Sequence, residues 1–176
     1  MNRRDAIGNI VMISIGAVIL PSCGQKDPPL VQLRNISLTG SEEKMVFQLA
    51  DTILPKTSFF GAADLKAHEF TLMMVDDCYE PDKQISFMAG LKEFDQLVRN
   101  KYNNSFSSCA PAHRIAWLAS LEKKTGIPEA VIFFYETTKR HTVQSFTSCR
   151  EYMTGVIKYN MVPGGNFKGC VPVKPA

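Results

Sequence analysis

The sequence predicts an all-α fold: a single compact helical domain of about six helices with an irregular C-terminal tail, after an N-terminal signal segment. Three observations carry this. Apolar residues recur at helical spacing in successive stretches. Prolines stand where helices would begin, at Pro81, Pro111 and Pro128, and a proline is well tolerated in a first helical turn. No repeat, low-complexity block or second domain interrupts the pattern.

In chain order, Thr39 and Glu42 have the spacing of a capping box, in which each side chain satisfies an orphan amide at a helix start. Val46, Leu49, Ala50 and Ile53 follow on one face, and Pro55 ends that helix. A second helix is expected over residues 64–79, with Ala67, Phe70, Met74 and Cys78 as its apolar stripe. A third runs from Pro81 to about Tyr102, carrying Phe87, Leu91, Phe94 and Val98 inward. Residues 103–108 read as a loop. Pro111 opens a fourth helix with Ile115, Leu118 and Ala119 inward, Lys123 and Lys124 near its C-terminus where the helix dipole favours cations, and Gly126 as its stop. Pro128 opens a fifth. Residues 130–135 are apolar all round, which places them at the centre of the core. Their β-branched and aromatic content also suits a strand, but they do not alternate, and Pro128-Glu129 reads as a first helical turn. A short sixth helix is expected over residues 148–157, and from residue 160 the chain is rich in Pro and Gly.

The N-terminus is of another kind. Arg3 and Arg4 precede an apolar run of about 15 residues, short of the roughly 20 that a spanning helix needs. The run is diluted by Gly8, Ser14 and Gly16, and low hydrophobicity behind an Arg-Arg pair points to a twin-arginine export signal, with the general secretory route as the alternative. Leu20-Pro21-Ser22-Cys23 resembles a lipobox, which makes Cys23 the lipidation site and the mature N-terminus. The organisation expected is an export signal over 1–22, a tether over 23–37 that is polar and extended over residues 24–29, and a helical domain over 38–176. The product is then an exported lipoprotein, periplasmic or held at the cell envelope and membrane-anchored.

The formal net charge of +3, with lysines and arginines scattered, is not the balance of a nucleic-acid binder. Apart from Cys23 there are four cysteines, Cys78, Cys109, Cys149 and Cys170. An even number in an exported chain suggests two disulfides, and four cysteines allow three pairings. Zinc is the rival use, but no Cys-x-x-Cys occurs.

Catalytic and cofactor motifs are missing from the sequence. His68, His113 and His141 have no metal-ligand partner at helical spacing, and His68 reads as a surface residue. There is no Cys-x-x-Cys-His for haem attachment, and Gly164-Gly165 is not a dinucleotide-binding loop. Asp76, Asp77 and Glu80 cluster near a helix end and could do acid–base work, but a solvated helix terminus is the simpler reading.

Three blocks carry a family resemblance. Leu38-Thr39 through Ala50-Asp51-Thr52-Ile53-Leu54-Pro55 is the first. Asp77-Cys78-Tyr79-Glu80-Pro81 through Phe87, Gly90, Leu91, Phe94 and Asp95 is the second. Tyr159, Val162-Pro163-Gly164 and Phe167-Lys168-Gly169-Cys170-Val171-Pro172 form the third. With the Arg-Arg signal, the chain resembles the gluconate 2-dehydrogenase subunit 3 family over about residues 1–172. The resemblance implies a small non-catalytic subunit without a cofactor of its own. Its partner would be a FAD-dependent sugar or sugar-acid dehydrogenase of the glucose–methanol–choline type, with a multihaem cytochrome c as a frequent third member and both FAD and haem c held by those partners. The small subunit would bind, co-export or anchor the flavoprotein outside the cytoplasmic membrane. Cys78 and Cys170 fall in family-like blocks, so the resemblance pairs them and leaves Cys109 with Cys149. A Cys78–Cys170 bridge would close a loop of about 90 residues, worth roughly 4–5 kcal/mol in the chain-entropy account. The Pro- and Gly-rich close, with Pro163, Gly164, Phe167 and Gly169, is the expected partner-contact segment. The alternative function is a stand-alone lipid-anchored helical binding module without a dehydrogenase partner.

Overall fold

A computed structural model describes residues 28–159. They form five α-helices: α1 (Gly40–Ile53), α2 (Ala67–Cys78), α3 (Pro81–Tyr102), α4 (Pro111–Leu121) and α5 (Glu129–Ser148). A 3-10 turn, Phe106–Ser108, lies between α3 and α4, and a π-helical turn, Tyr152–Val156, follows α5. There is no strand among the described residues, so the all-α class holds. The tail expected to be irregular begins at residue 160, outside the described residues.

The helix boundaries follow local chemistry. The capping box at α1 forms as expected: the Glu42 amide donates to Thr39 Oγ1 at 3.3 Å, and the Thr39 amide donates to Glu42 Oε2 at 2.8 Å. Pro81 and Pro111 occupy first turns, and Pro128 caps α5. Asn103 ends α3 in the left-handed conformation at φ 55°, which asparagine tolerates. Helix α4 stops at Leu121, short of Gly126, and the chain then turns through Lys124 at φ 52°.

Helix α5 is the central element and packs against α3, α2 and α1. That position explains its apolar N-terminal half: Val131, Phe134 and Tyr135 are buried, with Ile132 and Phe133 half-buried. Phe134 meets Phe87 at 5.0 Å and Phe94 at 5.3 Å between ring centroids, both edge-to-face. Phe94 in turn meets Phe106 at 5.0 Å and Trp117 at 6.1 Å. Each such pair adds roughly 0.5–1.5 kcal/mol beyond the area it buries. The α3–α5 crossing closes at Gly90, where a Cβ would lie 2.0 Å from the Ala130 carbonyl oxygen and 2.8 Å from Phe134 Cβ. Only glycine allows backbones to approach that closely.

The expected inward faces of α1, α3 and α5 agree with the structure, and those of α2 and α4 need correction. The buried face of α2 is Ala67, His68, Thr71, Leu72, Val75 and Asp76; Phe70 and Met74 are only half-buried and Cys78 is exposed. In α4 the inward residues are Trp117, Leu118 and Leu121, while Ala119 is exposed and Ile115 is 61 % exposed. In both helices the face is turned by neighbours that a local apolar count does not contain: the N-terminal segment against α2, and Phe94 against Trp117.

Candidate functional site

Two buried carboxylates, Asp76 and Glu43, hold the chain's entry into the domain. Asp76 lies in the last turns of α2 and is 3 % exposed. One carboxylate oxygen accepts from the Arg34 amide at 2.7 Å, and the other from the amides of Asn35 and Ile36, both at 2.8 Å. The Asp76 carbonyl accepts from Asn35 Nδ2 and from Gln84 Nε2, each at 2.8 Å. Burial pushes the Asp76 carboxyl up, but the amides of Arg34, Ile36 and Asn35 outweigh it and hold the group below its ordinary value. Glu43, also buried, makes a second clasp by accepting from the amides of Leu30 at 2.7 Å and Val31 at 3.5 Å. Residues 30–36, which read as tether from sequence, are therefore strapped onto the domain, and Ile36 and Leu38 join the core.

His141 on α5 is buried between Tyr79 and Gln144. Its Nε2 is 2.9 Å from the Tyr79 hydroxyl and its Nδ1 is 3.0 Å from Gln144 Oε1. A neutral ring that donates from Nδ1 and accepts the tyrosine proton at Nε2 satisfies both contacts. Burial lowers the His141 pKa against the opposing bond to Gln144, and nearby Arg140 lowers it further. His68 is 8 % exposed, which corrects its reading as a surface residue. Its Nε2 lies 3.9 Å from Glu43 Oε1 and its Nδ1 has no partner, while its ring meets Phe47 edge-to-face at 5.0 Å. Burial lowers its pKa against the opposing charges of Glu69 and Glu43. His113 is exposed and stacks on Tyr102 at 4.8 Å.

The acidic cluster is thus divided. Asp76 faces inward and spends its lone pairs on backbone amides, whereas Asp77 and Glu80 are exposed. The same turn of α2 leaves Cys78 exposed. The Cys109–Cys149 bridge is not formed. Cys109 is buried beside the 3-10 turn that packs on α1 and α3, with its thiol 3.8 Å from the Asn104 carbonyl. Cys149 stands where α5 meets the π-helical turn, with its sulfur accepting from the Tyr152 amide at 3.4 Å. Each sulfur is turned into its own local backbone. Burial raises the Cys109 thiol pKa, opposing the pull of Arg114, so that thiol is a poor nucleophile. Arg3, Arg4, Cys23, Pro163, Gly164, Phe167, Gly169 and Cys170 lie outside the described residues.

Among the described residues, no group of three or more His, Cys, Asp or Glu side chains is arranged to hold a metal, and no helix is long and apolar enough to cross a membrane. The described surface carries several hollows. One of about 520 Å³ is lined by Pro28, Leu30, Phe47, Ala63, Lys66 and His68, among others. Another, of about 260 Å³, is lined by Phe59, Phe60, Phe146, Glu151, Tyr152 and Val156.

The family model described as gluconate 2-dehydrogenase subunit 3 matches residues 40–164. The chain belongs to the gluconate 2-dehydrogenase subunit 3 family. The matched region begins at the first residue of α1 and takes in all five α-helices. It contains both clasping carboxylates, Glu43 and Asp76, but not the amides of residues 30–36 that they hold. Members of this family are accessory subunits of a dehydrogenase complex. No curated protein and no solved structure matches the chain.

The sequence reading missed Glu43 and Asp76 as clasping residues. A signal was present for Asp76: it lies four residues beyond Leu72 and one beyond Val75, on the stripe that the structure buries.

Proposed function

We propose that this chain is a non-catalytic accessory subunit that binds a FAD-dependent dehydrogenase of the glucose–methanol–choline type and exports or anchors it outside the cytoplasmic membrane. The family match over residues 40–164 carries the reading. Two features of the domain support it. The buried carboxylate of Asp76 is saturated by backbone amides, and both ring nitrogens of buried His141 are engaged, by Tyr79 and Gln144, so each is already committed within the fold. FAD, and haem c where a multihaem cytochrome c joins the complex, would reside in the partner subunits. The substrate would be set by the flavoprotein.

On this reading Arg3 and Arg4 direct export, Cys23 carries the acyl chains, and the segment around Pro163, Gly164, Phe167 and Gly169 contributes to the partner contact. A Cys78–Cys170 bridge would fasten that segment to the end of α2, where the Cys78 thiol is exposed.

Affinity purification of the full chain from the native envelope tests the proposal. A flavoprotein of matching stoichiometry should come with it. Repeated recovery of the chain alone would overturn the complex-subunit role in favour of a stand-alone lipid-anchored module.

A further inference from the structure

Leu30 is 91 % exposed, while its backbone amide is fixed to Glu43 Oε2 at 2.7 Å. The bond holds the backbone of Leu30 on the domain while its side chain stands in the open. Beside it, Pro28, Phe47 and Ala63 line a largely apolar hollow whose lining also includes Lys44, Lys66 and Glu69, with Lys66 paired to Glu69 at 3.0 Å. Lysine stems can cover apolar surface while their ammonium groups stay at a polar boundary.

The position of this face relative to Cys23 is constrained by chain length. Cys23 is five residues before Pro28, so the two are separated by at most about 18 Å even when the chain is fully extended. The strap beyond Pro28 cannot lengthen that reach while Glu43 and Asp76 hold it. An acylated Cys23 therefore draws this particular face to within about 18 Å of the bilayer. We propose that the hollow carrying Leu30, Pro28 and Phe47 is a membrane-docking face, with Leu30 entering the interface between headgroups and acyl chains. This rests on the reading of Cys23 as lipidated, and it adds an orientation: the domain sits with this face down and presents its other sides to a partner.

The test uses the full chain, purified from the envelope of an exporting bacterium and reconstituted in phosphatidylethanolamine–phosphatidylglycerol vesicles with brominated acyl chains. In Leu30→Trp the added emission should shift to shorter wavelength and lose roughly half its intensity, as expected for a side chain inserted to the acyl boundary. Ile85→Trp, at an exposed position on α3, should be unaffected, as should the buried Trp117 of the unsubstituted chain. Acylated, vesicle-bound protein with an unquenched Leu30→Trp would overturn the docking face and leave the anchor standing. So would a spectral shift that appears only when the dehydrogenase is added, because the face would then belong to the protein partner. Mass spectrometry showing no acyl chains on Cys23 would remove the anchor reading and the docking face together.

Discussion

Asp76 accepts from three consecutive backbone amides, so its charge is matched to donors that cannot rearrange. Asp76→Asn keeps the shape but turns an NH2 group toward one of those amides. The expected loss is on the order of 2–3 kcal/mol in chemical denaturation, with faster hydrogen exchange at the amides of Arg34, Asn35 and Ile36. The acid behaviour has a definite sign. The folded pKa of Asp76 is depressed, so its contribution is complete above its unfolded value of about 3.9 and is lost as pH falls through the lower folded value. The histidines act at milder pH. His68 and His141 are both lowered from 6.5 by burial. Between the folded and unfolded values the unfolded chain binds more protons. Their contribution to stability is therefore complete above pH 6.5 and declines as pH falls through 6.5 toward the folded values. Thermal melts should show a lower midpoint at acidic than at neutral pH, and His141→Gln should flatten that dependence.

The decisive contact between elements is the α3–α5 crossing. Gly90→Ala places a methyl group against the Ala130 carbonyl, which is backbone and cannot swing aside. The helices must separate, at an expected cost of about 3 kcal/mol, read as a lower denaturation midpoint with helical content retained. At this scale legibility depended on the composition of each face. Helices α1 and α3 bury large apolar residues on one stripe, so periodicity located the stripe correctly. Helix α2 buries Ala67, His68, Thr71 and Asp76 together with Leu72 and Val75, and leaves Met73 exposed. Asp76 is buried because distant amides satisfy it, and Thr71 because its hydroxyl donates to the Ala67 carbonyl one turn back, neither of which a hydrophobic count can register. In α4, Ile115 is exposed and Trp117 is drawn inward toward Phe94, again by a residue of another helix.

For the whole molecule, export and assembly are the properties to test. If the chain carries a folded flavoprotein out with it, Arg3→Lys combined with Arg4→Lys should leave both proteins in the cytoplasm, read by fractionation and dehydrogenase activity. Export of the flavoprotein in that double variant would end the co-export reading. The resemblance blocks were legible because they are local strings in a fixed order, and the family match over residues 40–164 agrees with them. The clasp was not legible. Leu30, Val31, Leu33 and Ile36 make residues 28–37 more apolar than a free tether needs, but they do not say where on the domain the segment lies. The sequence by itself determined the helical class, the capping box and proline-marked helix starts, the large apolar stripes and the family, all of which depend on neighbours within a few positions. Only the tertiary structure decided which way α2 and α4 turn, and that residues 30–36 lie on the domain. The reason is range: Asp76 is buried and charged because amides as many as 42 positions away come within 2.8 Å of it, a proximity that exists only in the folded chain.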